Sequence, residues 1–171
     1  VGDEGIALEE QAILMDSVRT EAPAMVRALE AAGIPHQVHG GLGVFERREV
    51  REALAWLRVL ADPDDAQAHL RLVADPDLNL PWGESVDAVA SARAGGTTAT
   101  GALLTVAERG TSPFAARLSE VGPIMTGPTI DVVREVIDRA GLRLRALSIG
   151  GAEGAARLAG LSALERLATD L

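Results

Sequence analysis

The sequence predicts a mainly α-helical fold opened by a small α/β portion. Three observations carry that expectation. From residue 50 onward, aliphatic side chains recur at helical spacing in window after window. Before that, two short apolar runs flank a single helical window. Finally, 47% of the 171 residues are hydrophobic, yet there are only two Phe, two Trp and no Tyr. A core is affordable, and it must be built from Leu, Val, Ile and Ala.

Residues 11–15, Gln-Ala-Ile-Leu-Met, read as a buried strand. Thr20 can cap a helix with Pro23 in its first turn, Met25, Val26 and Leu29 on one face, and Gly33 as the stop. Residues 35–39 are extended in character, which completes a strand–helix–strand piece. Gly40, Gly41 and Gly43 make a loop. Val50, Ala53, Leu54, Leu57, Leu60 and Ala61 then form one continuous apolar stripe. Asp62-Pro63 ends that helix and opens the next, whose face is Ala66, Leu70 and Val73. Residues 76–83 are a loop. Short helices follow over about 84–93, 98–108 and 113–121, and residues 122–128 break any helix. A strong helix spans 129–140, with Gly141 as its stop. Ser162-Ala-Leu-Glu165 is a capping box that predicts a last short helix. No repeat recurs at a fixed period. The domain boundary is expected at 52/53, within a zone of 45–75.

Composition excludes several chemistries. Without cysteine there is no disulfide, thiol nucleophile, zinc ribbon or iron–sulfur cluster. All 16 basic residues are Arg. Lysine Schiff bases and the phosphate-binding lysines of nucleotide loops are therefore absent. The aromatics are too few for a platform on which successive bases stack. A net charge of −9 gives no long-range attraction to a polyanion. The start is acidic and has no apolar run, and nothing is long enough to span a bilayer, so a soluble, cytoplasmic protein without membrane partners is expected. A start at Val1 suggests a piece of a longer chain.

Local motifs yield no active site. Gly40-Gly41-Leu-Gly43 lacks the Lys and hydroxyl of a phosphate loop and reads as a turn. Ala146-Leu-Ser148-Ile-Gly150 imitates a nucleophile elbow, but His36, His39 and His69 all precede the serine. The histidines read as surface residues rather than a convergent metal set. Asp62, Asp64 and Asp65 lack the ligand alternation of a calcium loop and suit a helix start. Arg47, Arg48 and Arg51 are the one dense basic group on a well-formed helix, interleaved with Glu46, Glu49 and Glu52. Arg139, Arg143 and Arg145 form a second, acid-free group able to meet a polyanion. No metal, catalytic or cofactor site is expected in this chain.

The order of the pieces is more specific. Val26-Arg-Ala-Leu-Glu-Ala-Ala-Gly-Ile-Pro35, then Gly40-Gly41-Leu-Gly-Val-Phe-Glu-Arg-Arg-Glu-Val-Arg51, then Ala53-Leu-Ala-Trp-Leu-Arg-Val-Leu-Ala-Asp-Pro-Asp-Asp65, resembles the UvrD/Rep-type (PcrA-like) superfamily 1 DNA helicases. Position 44 is Val where a first Phe is usual, and Arg51 replaces a Lys. Arg157-Leu-Ala-Gly-Leu-Ser-Ala-Leu-Glu-Arg-Leu167 carries a fainter likeness. The resemblance implies a fragment of an ATP-dependent 3′→5′ helicase: a partial RecA-like 2A segment over 1–52, then a helical 2B-type subdomain over 53–171. ATP and Mg²⁺ would belong to the parent protein, since the nucleotide motifs are missing here. DNA, at a junction of single strand and duplex, would be the partner. The implied contact residues are Gly40, Gly41, Phe45, Arg47, Arg48 and Arg51. Asn79, Trp82 and Ser85 join them where the family has its duplex-contacting loop, although the Arg and first Gly of that loop are not recognisable. The alternative is a protein-interaction subdomain of a helicase–nuclease subunit of the RecB/AddA kind, meeting a partner protein.

Overall fold

The computed structural model describes residues 7–15, 18–38, 43–122 and 127–169. They fall into two compact units, within Val1–Glu46 and Arg47–Leu171. Among the described residues the secondary structure is entirely helical. The expectation of a mainly α fold holds.

The first unit contains a 3₁₀ turn at Leu8–Glu10 and two helices, α1 (Val18–Ala31) and α2 (Gly43–Glu46). Helix α1 starts before Thr20, so Pro23 lies inside it rather than at its entry. Its end is a Schellman turn. Ile34 N–H donates to Leu29 O (2.9 Å) and Gly33 N–H to Glu30 O (3.0 Å). Gly33 has φ +66°, which glycine adopts without a Cβ penalty. The expected strands do not form: residues 11–15 and 34–38 are described and belong to no sheet. A strand needs a neighbour to complete its ladder. Here both runs instead line a cleft together with Ala22, Val26 and Leu29 of α1. Leu14 is left 94% exposed. Position 39 lies outside the described residues.

The second unit is built around α3 (Arg48–Ala61). Val50, Ala53 and Trp56 are buried on it. It packs against α4 (Ala66–Val73), and α5 (Trp82–Ser91) and α6 (Ala99–Arg109) continue the layer beyond α4. On the other side it meets α8 (Thr129–Arg139), α9 (Leu142–Ile149) and α10 (Gly151–Thr169). Helix α7 (Phe114–Val121) bridges α6 and α8. The rings of Trp56 and Phe114 stack with centroids 6.0 Å apart. Two aromatics thus anchor a core that is otherwise aliphatic.

Polar joints fix the layers. Asp65 caps α4 by accepting from Ala68 N–H at 3.0 Å. Asp64 reaches across to accept from Ala99 N–H at 3.1 Å, at the start of α6. The acidic cluster therefore terminates two helices. His69 is fully buried, not a surface residue. Its Nδ1 lies 2.7 Å from Asp65 O and its Nε2 2.8 Å from Thr100 Oγ1. Burial holds its pKa below the ordinary value, against the opposing pull of Asp65, Asp62 and Asp64.

The C-terminal end differs from expectation. The capping box at Ser162 opens nothing, because α10 is already continuous from Gly151. Packing carries this helix through its glycines. A Cβ on Gly154 would sit 2.5 Å from Ala146 O of α9, and one on Gly160 would meet the Glu49 carboxylate of α3. Ser148 sits in α9 and donates to Leu144 O at 2.9 Å, an intrahelical bond rather than an elbow nucleophile. Part of the 122–128 breaker, residues 123–126, lies outside the described residues.

Candidate nucleic-acid interface

A phosphate-binding surface needs cations that are not already spent on the protein's own carboxylates. That criterion divides the two basic groups that stand out in the sequence. Arg139 pairs with Glu135 at 2.7 Å and also donates to Glu120 O at 3.0 Å. Arg143 bridges Asp138 (2.5 Å) and Glu165 (2.6 Å). Arg145 is inserted between Glu52 (3.0 Å) and Asp75 (2.8 Å). Its Nε lies 2.6 Å from Asp77, with the N–H pointing off the oxygen. The second basic group, acid-free in sequence, is consumed by acids of the preceding α8 turns, Glu135 and Asp138, and by Glu52, Asp75 and Glu165 brought from elsewhere in the fold.

The first basic group is divided by its neighbours. Arg47 Nη1 donates to Ala156 O at 3.0 Å and ties α3 to α10. Arg48 pairs with Glu52 at 2.8 Å, which raises its pKa above the ordinary arginine value. Arg51 is exposed and makes no side-chain bond among the described residues.

Arg51 opens onto a cleft of about 390 Å³ between α3 and α4. It is lined by Arg51, Leu54, Ala55 and Arg58 of α3, by Gln67, Ala68, Leu70 and Arg71 of α4 with Ala74 at its end, and by Trp82 of α5. No acid is among them. Arg58 is held in place by Asp65 (2.7 Å) and Gln67 (3.3 Å). The Asp65 carboxyl is held below its usual range, first by the Ala68 N–H and then by Arg58. Arg71, like Arg51, has no side-chain partner among the described residues. Trp82 is 58% exposed. The larger cleft, beside α1, is lined by apolar and neutral residues and offers no guanidinium.

Of the residues singled out in sequence, the groove brings together Arg51 and Trp82. Asn79 sits in the left-handed region at φ 46° and donates to Thr111 Oγ1 at 3.2 Å. Phe45 is exposed on α2. Ser85 is fully buried, with no hydrogen-bond partner for its hydroxyl among the described residues, so it cannot act as a surface contact. Gly40 and Gly41 lie outside the described residues. The sequence reading missed Arg58 and Arg71. Positions 51, 54, 55 and 58 are one helix face, so the i, i+3, i+4, i+7 pattern was the available signal.

Among the described residues, no group of three or more His, Asp or Glu could hold a metal ion. No described helix is long and apolar enough to cross a membrane.

The second unit is thus an all-helical body on an acidic chain, with an acid-free groove lined by Arg51, Arg58 and Arg71. The model of the UvrD-like helicase C-terminal domain matches residues 2–97, more than half of the chain, and the chain belongs to that family. It is 39% identical over 66 residues to DNA helicase II of Escherichia coli strain K12, covering 39% of this chain and 9% of that protein. It is 46% identical over 43 residues to the ATP-dependent DNA helicase UvrD1 of Mycobacterium tuberculosis, covering 25% of this chain and 6% of the relative. The Haemophilus influenzae DNA helicase II is 33% identical over 66 residues. The chain thus matches less than a tenth of the length of these curated relatives.

Proposed function

We propose that this chain is the DNA-engaging part of an ATP-dependent 3′→5′ DNA helicase, with a segment of the 2A motor half over 1–52 and a 2B-type helical body over 53–171. Family membership supports the helicase reading, and the named relatives are DNA helicases. The observation that carries the DNA-engaging role is the α3–α4 groove, where Arg51 and Arg71 have no side-chain partner among the described residues. Phosphate oxygens are the acceptors that planar, always-charged guanidinium groups suit best.

ATP and Mg²⁺ act elsewhere in the intact protein. A cradle of backbone N–H groups with a reaching Lys is needed at the β- and γ-phosphates, and this chain contains no Lys. Its contribution is positional: it holds cations against the nucleic acid that the motor moves. In the intact helicase, Arg51→Ala/Arg71→Ala should raise the DNA concentration needed for half-maximal ATPase stimulation. The DNA-free ATPase rate should stay unchanged. An unaltered stimulation curve would refute the DNA-engaging role of this groove.

A further inference from the structure

We propose that the α3–α4 groove accepts one unpaired nucleotide of a single strand, with its base on the indole of Trp82 and its phosphate between Arg51 and Arg71. This deepens the DNA-engaging reading and rests on it. Three observations converge within the groove. Among the described residues its charge is not neutralised, since two of its three guanidinium groups have no carboxylate and no acid lines it. It has one aromatic face: Trp82 is 58% exposed, whereas the other tryptophan, Trp56, is 1% exposed in the core. Its volume of about 390 Å³ lies at the lower end for a small-ligand pocket, roughly 300–1,000 Å³.

Those dimensions select the form of the partner. In a duplex each base face is already covered by its stacked neighbours. Only an unpaired base offers a π-face to an indole. A duplex also presents a long phosphate track, which a row of cations would match. Here two arginines without a partner among the described residues flank one cleft, and the chain as a whole carries −9. The apolar floor, Leu54 and Leu70, suits a sugar and base edge. One nucleotide is held and its neighbours are not.

The two tryptophans make the test direct. The 171-residue chain is titrated with a short oligodeoxythymidine and with a duplex of equal length, following tryptophan emission. The single strand should quench emission, and the duplex should bind at least about tenfold more weakly. Trp82→Phe should abolish the quench while retaining most of the affinity. Trp82→Ala should weaken single-strand binding roughly 5- to 150-fold, the range for losing one base–aromatic stack. Unchanged thermal melts would show that the variants stay folded, as expected for an exposed site. DNA binding without quenching, with Trp82→Ala silent, or with duplex preferred, would overturn the stacking proposal and leave the DNA-engaging reading standing. Binding of neither DNA, with a glutamate-rich peptide quenching Trp82 instead, would overturn both.

Discussion

Arg145→Met should be among the most damaging single substitutions in the second unit. Arg145 is 17% exposed and lies against Glu52 (6% exposed) and Asp75 (2% exposed) at 3.0 and 2.8 Å. Removing the guanidinium leaves two buried carboxylates facing a thioether. Glu52 keeps Arg48, and among the described residues the Asp75 carboxylate keeps the Asp77 N–H, from which it accepts at 3.1 Å. Breaking such a buried pair typically costs about 3–5 kcal/mol, because a charge remains without compensation. Domains are stable by only about 5–15 kcal/mol in total, so the variant should sit near the edge of folding. The control is Arg134→Met. Arg134 and Asp131 are 53% and 57% exposed at 3.4 Å, and solvent screens them, so less than about 1 kcal/mol should be lost. Urea unfolding followed by far-ultraviolet circular dichroism measures both. Equal, small losses would refute the assignment of Arg145 as the charge that joins α3, α9 and the turn at Asp75.

Three further outcomes follow from named contacts. Gly154→Ala should destabilise by roughly 1–3 kcal/mol, because its Cβ meets the Ala146 carbonyl, which cannot step aside; a gain of about 1 kcal/mol, the ordinary helix-propensity benefit of alanine, would show that α9 and α10 are not in close contact. His69 is held below its ordinary pKa of 6.5 by burial, so the unfolded chain takes up that proton first. Its contribution is therefore complete above about pH 6.5 and is lost as pH falls toward the lower folded-state value. His69→Gln should flatten the stability–pH curve in that acid window, and an unchanged slope would count against a buried neutral imidazole. Thr98→Ala should cost about 1 kcal/mol, because Thr98 Oγ1 caps α6 by accepting from Gly101 N–H at 3.1 Å; hydrogen exchange at the start of α6 would report it.

What could be read in the sequence follows a physical line. The helices with an apolar stripe, α3 and α8, were legible because burial imposes a 3.6-residue period. Helix α10 was not. Gly154 and Gly160 are poor helix formers, and the neighbours they accommodate are far away in sequence, Glu49 among them. The strands of the first unit were misread because an apolar run cannot show whether a partner strand lies beside it. The interface was half legible. Arg51 announced itself as a cation on a good helix, but no local pattern says that Arg145 is met by Glu52, 93 residues away, while Arg51 has no side-chain partner among the described residues. Arg71 became part of the site only when α4 folded back along α3.

The salt dependence of single-strand binding tests the central claim, that this chain engages DNA through the groove, most directly. Each phosphate neutralised on a single strand contributes about −0.7 to the slope of log K against log salt. With Arg51 and Arg71 sharing the phosphate of one nucleotide, the 171-residue chain should give a slope of about −0.7. Arg51→Ala/Arg71→Ala should flatten it toward zero and weaken binding at every salt concentration. A steep slope that survives the double substitution would mean that the phosphates are held somewhere else on the molecule.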